Sequence, residues 1–232
     1  MGRDAAGKAG RESLTCEEIH KVSSVVKHIA ESTVRRLSLY LRFLEEFEAE
    51  GHATVASDEL AARGGTTSAQ VRKDLSFFGS FGKRGLGYSV PELTLALRKI
   101  LGLERGWKIV IIGAGKIGAA LSQYSGFRQR GFTIIAVYDE DPAKVGKKVD
   151  GFTVRAAREL GRDNAQQPAD IAVITVPAEA AQHVVDSAVS AGIRAIMNFA
   201  PVRLTVPEHV VLKNVNMAME LEGLSFALMH QG

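Results

Sequence analysis

The feature that most constrains the fold is Gly113-Ala114-Gly115-Lys116-Ile117-Gly118, which follows the apolar run 108–112 and leads into a helical pattern from Ala119. A GxGxxG string says little alone, but strand, turn and helix stand here in the order a dinucleotide-binding turn requires. Gly113 permits the tight turn, Gly115 lets the backbone approach a pyrophosphate, and Gly118 lets helix and strand pack closely. A phosphate would then sit on the helix N-terminus, where unpaired N–H groups and the helix dipole favour an anion. Asp139 ends the next predicted strand, where a carboxylate accepts hydrogen bonds from both adenosine ribose hydroxyls. A 2′-phosphate would meet that negative charge, so NADH and NAD+ are the expected cofactors. Coenzyme A is the alternative, because similar glycine turns hold its pyrophosphate and Lys144, Lys147 and Lys148 lie nearby.

Beyond Trp107, apolar strands alternate with helical patterns, the signature of a parallel sheet with helices on both faces. The predicted strands are residues 108–112, 133–138, 171–175 and 195–198, with a weaker one at 210–212. Thr175-Val176-Pro177 and Asn198-Phe199-Ala200-Pro201 follow two of them, at the carboxyl edge where open sheets bind ligands. They are candidates for the nicotinamide half of the site; the alternative is strand ends turned by proline. The last predicted helix, 216–229, carries Met217, Leu221, Leu224 and Leu228 at helical spacing with little charge on any face. Such a stripe needs a partner surface.

The first hundred residues read differently. Residues 1–30 lack a sustained apolar stripe and read as a flexible tail containing the single cysteine, Cys16. Val34, Leu37, Leu41 and Leu44 then recur at spacings of three and four, marking an amphipathic helix ending near Gly51. A short helix starts with Ser57 as its cap. Thr67-Ser68-Ala69-Gln70 has the form of a capping box opening a third helix, in which Val71, Leu75 and Phe78 share one face. Ser68, Gln70, Arg72, Lys73 and Ser76 are the candidate DNA-facing residues, since the N-terminal part of a recognition helix meets base edges. Gly82-Lys83-Arg84-Gly85-Leu86-Gly87-Tyr88 reads as a basic hairpin whose Lys83, Arg84 and Tyr88 also face DNA; an arginine at its tip suits a narrow minor groove. Pro91 opens a fourth helix. Three helices and a basic hairpin make a winged helix-turn-helix.

A formal charge of +3 does not itself advertise nucleic-acid binding. Its distribution does: between Arg72 and Arg84 four cations stand against the single anion Asp74. No apolar run is long enough to span a membrane, so a cytoplasmic protein with no membrane partner is expected. One cysteine and scattered histidines suggest no metal site. No nucleophile stands beside a base, and no catalytic residue is assigned; His183 reads as an ordinary helix histidine. A dehydrogenase needs substrate acid/base chemistry and a clamping cation, and little chain remains for a substrate domain. A regulator is favoured over an oxidoreductase with an accessory N-terminal domain.

Residues 68–79 and 82–88, Leu37-Ser38-Leu39-Tyr40-Leu41-Arg42, 113–118, 175–181 and 198–202 together resemble the Rex family of redox-sensing transcription factors. The resemblance covers residues 30 to about 230 with the motifs in order. It implies an α/β chain organised as a tail (1–30), a winged-helix DNA-binding domain (31–104), a Rossmann NAD(H)-binding domain (105–212) and a C-terminal helix (213–232) exchanged between the subunits of a homodimer. It further implies binding of a palindromic operator, with release by NADH. Tyr124 matches a tyrosine that approaches the partner's nicotinamide site, and Arg42 an arginine linked to redox-dependent domain movement. Asn216 stands where the family usually has aspartate, and Ser125 where a proline is common. A neutral Asn216 cannot form a salt bridge with Arg42, although it can still accept a hydrogen bond.

Overall fold

The computed structural model describes residues 29–83 and 85–230. The tail assigned to 1–30 therefore falls almost wholly outside the described residues, as do Cys16 and Arg84. The chain divides into two compact units between Leu103 and Glu104.

In the first unit, α1 (Glu31–Ala49), α2 (Ser57–Arg63), α3 (Ser68–Ser76) and α4 (Val90–Ile100) surround one core. The stripe on α1 buries Leu37, Tyr40, Leu41, Leu44 and Phe47, whereas Val34 is exposed. The buried face thus runs through the two aromatics rather than back to Val34. Ser57 is the first helical residue of α2 and not its cap: Ala56 precedes the helix, and its N–H donates to Glu59 (2.7 Å). On α3, Thr67 Oγ1 accepts from the Gln70 N–H at 3.2 Å, half of the expected capping box. The return bond is absent: the Gln70 side chain turns toward Asp74 instead, its amide nitrogen donating to the carboxylate at 2.8 Å. Ser89 caps α4, with Pro91 in the first turn.

The basic hairpin is smaller than a full pair of strands. Lys83 and Gly87 form a single antiparallel bridge, and β2 (Tyr88–Ser89) pairs with β1 (Thr54–Val55), which precedes α2. Gly87 takes φ +78°, and a Cβ there would lie 2.5 Å from the Val55 carbonyl oxygen. Only glycine lets the wing lie this close to β1.

The second unit holds a six-stranded sheet in which every pairing is parallel. Its strands are β3 (Trp107–Ile112), β4 (Phe132–Asp139), β7 (Arg155–Ala156), β8 (Ile171–Ile174), β9 (Ala195–Asn198) and β10 (Val211–Asn214). Their spatial order is β10-β9-β8-β3-β4-β7. Counted along the chain, the first strand is central, the second and third extend to one side, and the fourth to sixth extend to the other. That is the doubly wound dinucleotide fold, whose switch point lies between β3 and β8. β3 is apolar throughout its buried part because both its faces are covered: Val110 and Ile112 enter one core, Ile109 and Ile111 the other. α5 (Lys116–Ser122), α6 (Gly126–Gln129), α7 (Leu160–Gln166) and α8 (Ala178–Ser190) complete the layers, and a small hairpin of β5 (Lys148–Val149) and β6 (Phe152–Thr153) precedes β7.

The last helix, α9 (Met217–His230), buries none of its residues. Met217, Met219, Leu221, Leu224, Phe226, Leu228 and Met229 are all exposed. Its N-terminus is closed by Asn216, whose Oδ1 accepts from the N–H groups of Ala218 (3.0 Å) and Met219 (3.4 Å). Asparagine and aspartate cap helices about equally well, so the unusual Asn216 preserves this local role.

Candidate dinucleotide site and nucleic-acid interface

The glycine turn joins β3 to α5 at the carboxyl edge of the sheet, beside the switch point. Gly113 has φ +109°, and a Cβ there would stand 2.6 Å from the Thr175 carbonyl oxygen. A Cβ on Gly118 would meet the Gly113 carbonyl oxygen at 1.9 Å, whereas one on Gly115 would meet nothing within 4 Å. Two glycines are thus dictated by protein packing, and the third leaves space open toward a ligand.

That space is a cavity of about 570 Å3 lined by Gly113, Gly115, Lys116, Ile117, Asp139, Thr175, Val176 and Pro177, among others. Ala114 and Gly118 do not line it; Ala114 braces the turn behind it, donating its N–H to Asp139 Oδ2 at 2.7 Å. Thr175 Oγ1 donates to the Gly113 carbonyl at 2.7 Å, so it holds the turn from the neighbouring strand. The structure does not bring the other candidates into this lining. Asn198 is fully buried and clamps its own loop, donating to Ala200 O (3.0 Å) and Asn214 Oδ1 (2.9 Å) while accepting from the Ala200 N–H (2.9 Å). Phe199 packs into the core beneath α5, and Ala200 into the opposite one. Tyr124 is exposed, meets Phe127 edge to face, and lines a separate cavity of about 690 Å3.

Asp139 is nearly buried, and its oxygens are already engaged. Oδ1 accepts from the Asp141 N–H (2.9 Å), and Oδ2 from Ala114 and from Lys144 Nζ (3.0 Å). Burial pushes its pKa up, but the Asp141 N–H, Lys144 and the Ala114 N–H together outweigh it, holding the carboxyl below its ordinary value. Asp139 is therefore an ionised acceptor at neutral pH. From the sequence Lys144 is only a neighbouring cation; the turn begun at Asp141-Pro142 is the signal that folds it back onto Asp139.

In the first unit, Lys73 and Ser76 are exposed on α3 and Ser68 is partly so. Arg72 reaches across to α2, donating to Ser57 Oγ at 2.8 Å. With Lys83 and Tyr88 it lines a groove of about 550 Å3 between α2 and the wing. Tyr88 itself is mostly buried in the helical core. Gln70 is not turned outward like its neighbours but reaches Asp74. Asp74, in the sequence the single anion among the cations from Arg72 to Arg84, is wholly buried and paired: it accepts from Arg36 Nε (2.6 Å), Arg36 Nη2 (2.8 Å) and Tyr40 Oη (3.0 Å) as well as Gln70. Burial raises its pKa, yet the Arg36, Gln70 and Tyr40 hydrogen bonds prevail and lower it, while burial and Asp74 push the Tyr40 hydroxyl up to about 12. Since Arg36 neutralises Asp74, the anion does not offset the surface cations on α3 and the wing.

Among the described residues no group of three or more His, Cys, Asp or Glu is arranged to hold a metal, and no helix is long and apolar enough to cross a membrane.

Two family models match the chain: one described as a CoA binding domain, over residues 104–202, and one described as a putative DNA-binding protein N-terminus, over residues 28–76. A redox-sensing transcriptional repressor Rex of Pelotomaculum thermopropionicum is 48% identical over 203 residues, covering 88% of this chain and 95% of the relative. The repressor of the same name from Syntrophomonas wolfei is 50% identical over 200 residues, covering 86% and 95%. Among solved structures, RSP with beta-NAD+ and operator DNA superposes with a TM-score of 0.82 at 38% identity, covering 86% of this chain and 92% of that one. RSP with beta-NADH gives 0.79 at 36% identity, covering 87% and 94%. The relatives are named as repressors rather than enzymes, and RSP is described as a Rex-family repressor. With this identity spread over both units, the chain belongs to the Rex family of redox-sensing transcriptional repressors.

Proposed function

We propose that this protein binds palindromic operator DNA as a homodimer and is released from it by NADH, so that promoter occupancy follows the NADH to NAD+ ratio in the cytoplasm. The observation that carries the reading is the coexistence, in one chain, of a glycine turn closed by an ionised Asp139 and a recognition helix followed by a basic wing. Solved chains at 36–38% identity hold NADH, or NAD+ with operator DNA, and support both halves.

In this reading residues 105–212 bind NAD(H). Gly113 to Gly118 receive the pyrophosphate and Asp139 the adenosine ribose. Thr175, Val176 and Pro177 line the way toward the nicotinamide, with Asn198, Phe199 and Ala200 shaping the adjoining loop. Residues 31–104 bind DNA through Ser68, Gln70, Arg72, Lys73 and Ser76 on α3 and Lys83, Arg84 and Tyr88 at the wing. Residues 213–232 dimerise, since α9 exposes apolar side chains all round and a second subunit is the natural cover. Arg42, Tyr124 and Asn216 couple the redox state to DNA affinity. NADH can release DNA only to the extent that it binds the DNA-free state more tightly than the DNA-bound state.

Calorimetric titration of the purified protein with NADH, NADPH and coenzyme A tests the ligand half. NADH is expected to bind most tightly; tighter binding of coenzyme A would replace this reading with that of a coenzyme A-responsive regulator.

A further inference from the structure

The recognition helix carries a buried charge that the DNA-binding reading does not use. Asp74 has no exposed surface, and all its hydrogen-bonding directions are taken: Arg36 Nε and Tyr40 on one oxygen, Arg36 Nη2 and Gln70 on the other. Arg36 and Tyr40 both belong to α1, so the carboxylate pins α3 to a second helix. Three of its four hydrogen bonds are accounted for by that pinning. The fourth comes from Gln70, which sits one turn earlier on the same helix, near the end that a recognition helix presents to bases.

The consequence for Gln70 is chemical. An ionised carboxylate only accepts hydrogen bonds, so the side-chain amide must turn its nitrogen toward Asp74. A free glutamine presents either end of its amide to a base by a half-turn of its last torsion. This one is held in a single sense, with the nitrogen inward and the oxygen left over. Among the described residues no hydrogen bond reaches that oxygen.

We propose that Asp74 is a positioning residue for operator recognition, fixing Gln70 as an oriented reader whose unengaged oxygen selects adenine over guanine at one base pair of each half-site. The proposal rests on the DNA-binding reading and adds to it the residue that sets the base preference. Adenine offers the N6 donor to the amide oxygen and the N7 acceptor to the second amide hydrogen; guanine replaces that donor with the O6 acceptor, which opposes the oxygen. The energy gained by a well-oriented pair of this kind corresponds to discrimination of about 5- to 150-fold.

The test uses duplexes selected by the full-length protein from a random library, with every base pair of the half-site then replaced in turn and affinity measured at fixed salt. The variants are Gln70→Met, which keeps length but cannot read, and the triple Arg36→Met/Tyr40→Phe/Asp74→Leu, which replaces the network by apolar groups of similar size and leaves Gln70 free to rotate. Wild type is expected to prefer adenine to guanine at one position that Gln70→Met flattens. The triple variant is expected to lose the preference there while keeping it at other positions and retaining affinity for unselected DNA. Both variants are checked for a cooperative thermal transition, and if the triple variant does not fold, Asp74→Asn takes its place, its amide free to face Gln70 with either end. A replaced network that leaves the adenine preference intact overturns the proposal, as does a Gln70→Met variant that changes no position or flattens one where guanine or thymine is preferred. A wild-type protein that selects no sequence at all overturns the DNA-binding reading itself, an outcome distinct from a sequence-specific protein indifferent to Asp74.

Discussion

Replacing Asp139 by alanine perturbs the dinucleotide site at its most constrained point. The substitution removes the acceptor of three donors, the Ala114 and Asp141 N–H groups and Lys144 Nζ, and, in the proposed function, the acceptor for the ribose hydroxyls. Hydrogen bonds to a charged group contribute roughly 1.5–3 kcal/mol each. The carboxylate already serves protein donors, so the ribose gains less than two full bonds; a loss of about 1.5–3 kcal/mol is expected, or a 10- to 150-fold weaker NADH affinity. Calorimetric titration with NADH measures the effect directly, and anisotropy of a labelled operator duplex provides the control. Asp139 belongs to the second unit and the recognition helix to the first, so operator affinity in the absence of ligand is expected to stay within about twofold. NADH binding within threefold of wild type would refute the assignment of Asp139 as the ribose acceptor.

Arg36→Met leaves Asp74 buried without its cation; because Arg36 is a quarter exposed, the cost is expected at about 2–3 kcal/mol, below the full figure for a dry pair, and calorimetry should show a drop of about 10–20 °C in the transition of the first unit. Gly118→Ala forces a Cβ to within 1.9 Å of the Gly113 carbonyl oxygen, so the turn must move; a destabilisation of at least about 1–3 kcal/mol and loss of NADH binding are expected by thermal melting and titration. Asp74 and Asp139 have lowered pKa values in the folded protein, so their contributions are fully present above the ordinary aspartate value near about 4 and are lost as the pH falls through the folded values. Stability from denaturant titration should therefore be insensitive to these groups at pH 5–8 and fall below about pH 4.

What the sequence made legible was local. The glycine turn, the strands around β3, β4, β8 and β9 and the helices of the first unit all announce themselves through periodicity or through glycine and proline placed within a few residues. The strand β7 and the hairpin of β5 and β6 are two residues each, too short for any alternation to register. Asp74 is legible in the sequence only as a charge. It lies three residues after Val71 and next to Leu75, on the buried face of α3, where a carboxylate needs a partner. Its partner Arg36 is 38 residues away, and no local pattern connects them. Asn198 reaching Asn214 on the next strand is likewise a tertiary fact, whereas Lys144 closes on Asp139 through the local turn at Asp141-Pro142. Gln70, expected to face outward, follows Asp74 inward because that carboxylate is anchored to another helix, so its placement too is settled by the assembled fold.

The most direct test of the account is operator release. The purified protein bound to a labelled palindromic operator at fixed salt is titrated separately with NADH and NAD+, and the anisotropy is followed. The account predicts release by NADH at concentrations where NAD+ leaves the complex intact; equal release by both, or binding indifferent to either, would contradict it.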